Sequence, residues 1–157
     1  MEALVDTNVL VYRYDPRFPR KQRIAADLLR YGSETLSVYV PHQAIVEFVA
    51  AVTRVKPALG GRSLLTPQEA YRGAEELMAQ FVVLFPDDEV LLTAFRGAAL
   101  YQLSWFDAHL WAYAEVHRIP ELLSEDFQHG RTYGGVRVSN PFRERVEEVN
   151  EPQARYG

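Results

Sequence analysis

Apolar positions along the chain fall into two alternating rhythms. Ala3, Leu4 and Val5 form a short continuous apolar run, the signature of a buried strand, and it ends on Asp6. Pro16 and Pro19 make the segment beyond it irregular. Ile24, Ala25, Leu28 and Leu29 then recur at helical spacing, which predicts a helix over 21–31 with Gly32 placed to stop it. The β-branched and aromatic stretch 36–40 predicts a second strand. Pro41 suits the first turn of a helix whose stripe is Ile45, Phe48, Val49 and Val52. Residues 55–65 hold Pro57, Gly60 and Gly61 and read as a loop.

The alternation continues. Thr66, Pro67 and Glu69 make a helix start with a capping box, and Ala70, Ala74, Leu77 and Met78 mark that helix's buried side. The apolar run 81–85 reads as a buried parallel strand. Asp87 and Asp88 open a helix reaching Tyr101, with Leu91, Ala94, Ala98 and Tyr101 at core spacing. Ser104 caps a further helix over 105–117, followed by a strand over 122–124 and another over 136–138. Residues beyond Pro141 are polar and predict an end helix or loose tail over 143–157.

Strands alternating with helices imply a central parallel sheet covered on both faces. Such a sheet lines up the exits of its strands along one edge, where ligand sites lie. Asp6 and Asp126, far apart in sequence, each follow a strand and could meet there.

Composition refines this reading. The chain has 157 residues, enough for one domain with a proper core. It has no cysteine, which excludes disulfides and thiolate metal sites and fits a reducing compartment. No apolar stretch approaches a membrane span, and Glu2 followed directly by a strand is unlike a signal peptide, so cytoplasm is the expected location. The net charge of −4 means that any phosphate-binding surface must be a local patch. Arg13, Arg17, Arg20, Lys21 and Arg23, against Asp15, are the densest candidate, although a solvated loop and helix start would show the same pattern.

The motifs of serine-hydrolase elbows, phosphate loops and dinucleotide folds are absent. The four histidines have no metal-ligand spacing. Carboxylates remain: Asp6 and Asp126 after strands, Asp107 three residues after Ser104, and Glu47 in the helix after the second strand. Hard oxygen donors suit Mg²⁺ or Mn²⁺. Clustered carboxylates repel, and a divalent ion both removes that conflict and can activate water against a phosphodiester. Each acid also has a simpler reading. Asp126 suits a turn, Asp107 completes a capping box with Ser104, and Glu47 shares a polar helical face with Gln43 and Arg54.

Taken in order, these segments resemble the motifs of the PIN-domain family, and within it the VapC-like toxins of toxin–antitoxin pairs. LVDTNVLV resembles the first motif, PHQAIVEFVAAV the second, LSWFDAHLWAYA the third, and LLSEDFQHGRTYGGVRVSNPF the last. The resemblance implies a PIN-like domain over 1–142, a three-layer α/β/α sandwich. It implies that Asp6, Glu47, Asp107 and Asp126 form an acidic site, with Asp6, Asp107 and Asp126 as metal ligands. Thr7, Asn8, Ser104 and Ser124 would be supporting polar groups. It also implies a Mg²⁺- or Mn²⁺-dependent ribonuclease restrained by a small antitoxin and commonly dimeric. The expected function is therefore RNA hydrolysis. The alternatives are a structure-dependent DNA nuclease on the same site and a silent PIN-like protein-binding module. A two-component receiver domain would need a lysine at the end of a late strand, which the sequence lacks.

Overall fold

The computed structural model of the chain describes residues 1–143 and 156. The expected end helix or tail over 143–157 lies, apart from Arg143 and Tyr156, outside the described residues. In chain order the elements are β1 (Ala3–Val5), α1 (Thr7–Tyr12), α2 (Pro19–Thr35), β2 (Val38–Pro41), α3 (His42–Thr53), α4 (Pro67–Gln80), β3 (Val82–Leu84), α5 (Asp88–Tyr101), α6 (Trp105–Val116), β4 (Glu121–Leu123), β5 (Thr132–Tyr133) and β6 (Val136–Ser139). One six-stranded sheet runs in the order β3-β2-β1-β4-β6-β5. Its pairings are parallel except for the β5–β6 hairpin.

The strand order places the site. From β1 the chain builds outward to β2 and β3, then crosses back to add β4 and β6 on the other side. The crevice beyond β1 and β4 is thus the point where the order reverses, the place such sheets bind ligands. Side chains of β1 alternate across the sheet. Ala3 and Val5 join the core under α1 to α4, while Leu4 joins the core under α5 and α6. The result is the expected α/β/α sandwich.

Several local readings change. The segment after Asp6 is helix α1, and all six of its residues are buried. A helix of one and a half turns with no polar face has no periodicity to detect. Gly32 does not end α2. The helix runs on to Thr35 and turns at Leu36, whose φ is 54°. Gly32 serves packing instead, since a Cβ there would lie 2.3 Å from Val38 Cγ2. Strand β2 therefore begins two residues later than its apolar run.

Strand β3 is an edge strand rather than a buried one, and Val82 is half exposed. The buried side of α4 is Ala70, Gly73, Ala74 and Leu77, with Met78 in solvent. The stripe of α5 is turned by one residue, so that Val90, Thr93, Ala94 and Gly97 face the core and Leu91 does not. Gly97 decides this, because it lies against the Trp111 ring where a Cβ would come within 2.2 Å. Ser124 lies just beyond β4 rather than inside it. The short strand β5 was not expected. It pairs with β6 through a turn at Gly134, where φ is 58°.

Candidate active site

The exit of β1 is held to the exit of β4 by the Asp6 amide, which donates to the Leu123 carbonyl at 2.9 Å. Asp6 is the N-cap of α1. Its extended backbone lets Oδ1 accept from the Thr7 amide at 2.6 Å. Oδ2 accepts from the Ser124 hydroxyl at 2.6 Å. Ser124 Oγ in turn accepts from the Asp126 amide at 3.0 Å, so one hydroxyl fixes both acids. Asn8 adds a second bridge, with Nδ2 donating to Asp126 Oδ2 at 3.1 Å and, more weakly, to Asp6 Oδ2 at 3.4 Å.

The other two acids arrive from opposite layers. Glu47, in the second turn of α3, accepts from Thr7 Oγ1 at 2.7 Å and from Gln43 Nε2 at 3.0 Å. Its polar helical face is real, but that face looks into the site rather than into open solvent. Asp107, in the first turn of α6, has its amide bound to Ser104 Oγ at 3.3 Å. Its carboxylate meanwhile borders the same cavity as the other three. Asp6, Glu47, Asp107 and Asp126 all line one open cavity of about 330 Å³, together with Thr7 and Asn8.

Concentrating acids here is costly. Burial pushes Asp6 up to about 7, its bond from Ser124 works against that, and the charges of Asp126 and Glu47 add to it. Burial also raises Asp107 and Asp126, with Glu47 repelling both. Asn8 Oδ1 is buried and lacks a hydrogen-bond partner among the described residues. Hard oxygen donors, mutual repulsion and an unmatched buried oxygen all fit a divalent cation. Among the described residues no three acidic or histidine side chains stand close enough to enclose an ion.

This has a measurable consequence without any substrate. The folded-state value of Asp6 lies above its ordinary value of 3.8, so the folded protein holds the proton more tightly than the unfolded chain. The contribution of Asp6 to the stability of the metal-free protein is then fully present below about pH 4 and is lost as pH rises through about 7. Asp107 and Asp126 push in the same direction. Melting curves in chelator should show this loss, on the order of a few kcal/mol, and saturating Mg²⁺ should flatten it. The wild type should lose stability relative to Asp6→Asn as pH rises from 4 to 7 in chelator, and an unchanged difference between the two would contradict the electrostatics described.

Of the expected supporting groups, Thr7, Asn8 and Ser124 bond directly to the acids. Ser104 holds Asp107 through its helix cap. Gln43 was missed. It sits one helical turn before Glu47, binds it, and also contacts the Phe106 carbonyl and His109, joining α3 to α6. The spacing of four residues was the available signal.

The basic segment is corrected at Lys21 and Arg17, which are engaged by buried acids. Lys21 is buried and paired with Glu125 at 3.0 Å, with the Tyr12 hydroxyl also on Glu125. Arg17 pairs with the fully buried Asp15. Arg13 donates to Tyr14 Oη and Arg20 to the Phe142 carbonyl. Arg23 is exposed on α2. None of the five lines the cavity. Much of this cationic run therefore serves the fold.

A family model matches the stretch of chain that holds these four acids. The PIN domain model matches residues 3–135. The chain belongs to the PIN-domain family. PIN-domain proteins are nucleases and generally use divalent metal ions. Solved structures share the fold at low identity. DNA-bound VapBC from Salmonella typhimurium matches at 12% identity and a TM-score of 0.65, covering 90% of this chain and 98% of that one. FitAcB from Neisseria gonorrhoeae matches at 19% and 0.55, covering 90% and 99%. VapC20 of Mycobacterium tuberculosis, a sarcin–ricin loop cleaving toxin, matches at 15% and 0.56, covering 80% and 92%. No curated protein sequence matches the chain. Among the described residues no helix is long and apolar enough to cross a membrane.

Proposed function

We propose that this PIN-domain protein is a Mg²⁺- or Mn²⁺-dependent endoribonuclease, the toxin of a pair in which a small antitoxin protein restrains it. One observation carries the reading: four carboxylates from four separate parts of the chain border one cavity at the β1 and β4 exits. The family and the toxin neighbours support it.

Asp6, Asp107 and Asp126 are the residues that would hold the ion. When bound, a divalent cation here supplies Lewis-acid chemistry, offsetting the phosphodiester's charge and favouring ionisation of water. The chain's own groups do the positioning. Ser124 and Asn8 fix the angle between Asp6 and Asp126. Thr7 and Gln43 donate to separate oxygens of Glu47, which keeps that carboxylate aimed at the cavity. Glu47 thus completes the acid set, as a further ligand or by accepting a hydrogen bond from the attacking water.

An enzyme of this kind works in the cytoplasm. Leu92, Phe95 and Phe106, all more than half exposed, support a protein partner or second copy on the α5 and α6 side.

Matched RNA and DNA strands incubated with the purified protein test the reading. RNA should be cut in Mg²⁺ or Mn²⁺ and remain whole in chelator, with DNA untouched. Cleavage of DNA alone would instead identify a DNA nuclease. Tight Mn²⁺ binding with neither strand cut would identify a silent binding module.

A further inference from the structure

Between Glu47 and Glu69 the chain carries no acidic residue, yet it carries Arg54, Lys56 and Arg62. In a protein of net charge −4 that stretch is a local basic island. It matches none of the family motifs set out above. The fold brings it to the cavity. Arg54, the C-cap of α3, lines the cavity with the four carboxylates. Lys56 follows in a tight loop, its amide bonded to the Arg62 carbonyl at 3.0 Å, with a 3-10 turn over Pro57–Leu59 and positive φ at Gly60 and Gly61. Lys56 Nζ stands 5.0 Å over the ring of Tyr156, which also lines the cavity. The Tyr156 hydroxyl donates to Asp15, the carboxylate that Arg17 clasps.

Among the described residues, Arg54 and Lys56 from one segment and Arg17 from another thus gather near Tyr156 beside the cavity, where the buried Asp15 accepts from Arg17 and Tyr156. Their crowding is unfavourable. Lys56 is depressed by partial burial and by repulsion from Arg17 and Arg54. A cluster of like charges beside an acidic cavity makes sense where a polyanion must be gripped on one side and cut on the other. The acids alone would repel it.

We infer that Arg54 and Lys56 form a phosphate-binding rim that holds the single-stranded RNA backbone next to the bond to be cut. This inference rests on the nuclease reading of the cavity. It places the backbone grip on 54–62 rather than on 13–23. The two cations set affinity and register, and the carboxylates act on the neighbouring phosphate. An RNA single strand suits the rim because its flexible backbone can turn from an exposed arginine into a cavity.

The test is anisotropy of a fluorescent single-stranded RNA across a salt series. It uses full-length protein carrying Asp6→Asn, so that the strand is not cut. Adding Arg54→Gln with Lys56→Gln should weaken binding about tenfold or more and flatten the slope of log affinity against log salt by about 1.4 (about 0.7 per lost phosphate contact). Swapping the two cations, Arg54→Lys with Lys56→Arg, should keep the wild-type slope. Removing two charges elsewhere, Arg23→Gln with Arg30→Gln, should change it far less. An unchanged slope and affinity in the Arg54→Gln, Lys56→Gln protein would overturn the inference, as would an equal effect from the Arg23 and Arg30 pair. If the wild-type protein still cuts RNA in that case, the nuclease reading stands. A wild type that neither binds nor cuts RNA would overturn both.

Discussion

Asp6→Asn is expected to lower RNA cleavage in Mg²⁺ at least about a thousandfold, a loss of about 4 kcal/mol in the barrier, while leaving the fold intact. Asn keeps the shape of Asp and is an equally good helix N-cap, so its side-chain oxygen can still accept from the Thr7 amide. What it lacks is the charge a cation needs. Asp6 is buried at 5% exposure among other acids, and keeping it ionised works against folding. The Asn variant should therefore melt at the same or a higher temperature than the wild type at pH 7 in chelator. Lost activity with retained or increased metal-free stability is a pattern that simple unfolding cannot produce. Cleavage within tenfold of wild type would show that Asp6 is not central to the chemistry.

The second large effect is structural and concerns Lys21. Its ammonium is 3.0 Å from Glu125 Oε2, and both side chains are almost fully buried. Lys21→Met should cost about 3–5 kcal/mol, because it strands the Glu125 charge in the interior. For a chain of this size that lowers the melting temperature by roughly 6–20 °C. Lys21→Met combined with Glu125→Leu should recover most of the loss, since an apolar pair of similar volume needs no partner charge. Glu125 directly precedes Asp126, so the single variant should also loosen the site. A single variant within about 1 kcal/mol of wild type by chemical denaturation would mean that the pair is solvated or dispensable.

These two residues also mark what the sequence could and could not say. Asp6 was legible because an ionisable residue that ends an apolar run has few structural uses. The alternation of strands and helices gave the sandwich, and the exits of β1 and β4 gave the pairing of Asp6 with Asp126. Glu47 was not legible from periodicity. Its helical face is polar whether it looks at solvent or at other acids, and resemblance to the second PIN motif had to supply it. Lys21 misled. A lysine in a basic run reads as a surface charge, and its partner Glu125 is 104 positions away. Helix α1 escaped because it is buried all round. The α5 stripe was turned because Gly97, which carries no hydrophobic side chain, marks the closest approach to Trp111. The basic rim was invisible for a related reason, since Arg54 meets the cavity only where α3 ends, and Lys56 and Arg17 come near it only through Tyr156 and Asp15.

On the proposed function, Asp6, Asp107 and Asp126 would together hold a divalent cation. Titration calorimetry of Mn²⁺ at pH 6.5, run in two buffers of different ionisation enthalpy, tests it most directly. Wild-type protein is expected to bind Mn²⁺ with release of protons, because carboxylates held partly protonated by burial must ionise to bind metal. Asp6→Asn and Asp126→Asn should each weaken binding at least about tenfold, about 1.4 kcal/mol, and Asp6→Asn should abolish most of the proton release. Mn²⁺ binding of wild-type strength and proton yield in both variants would contradict the account.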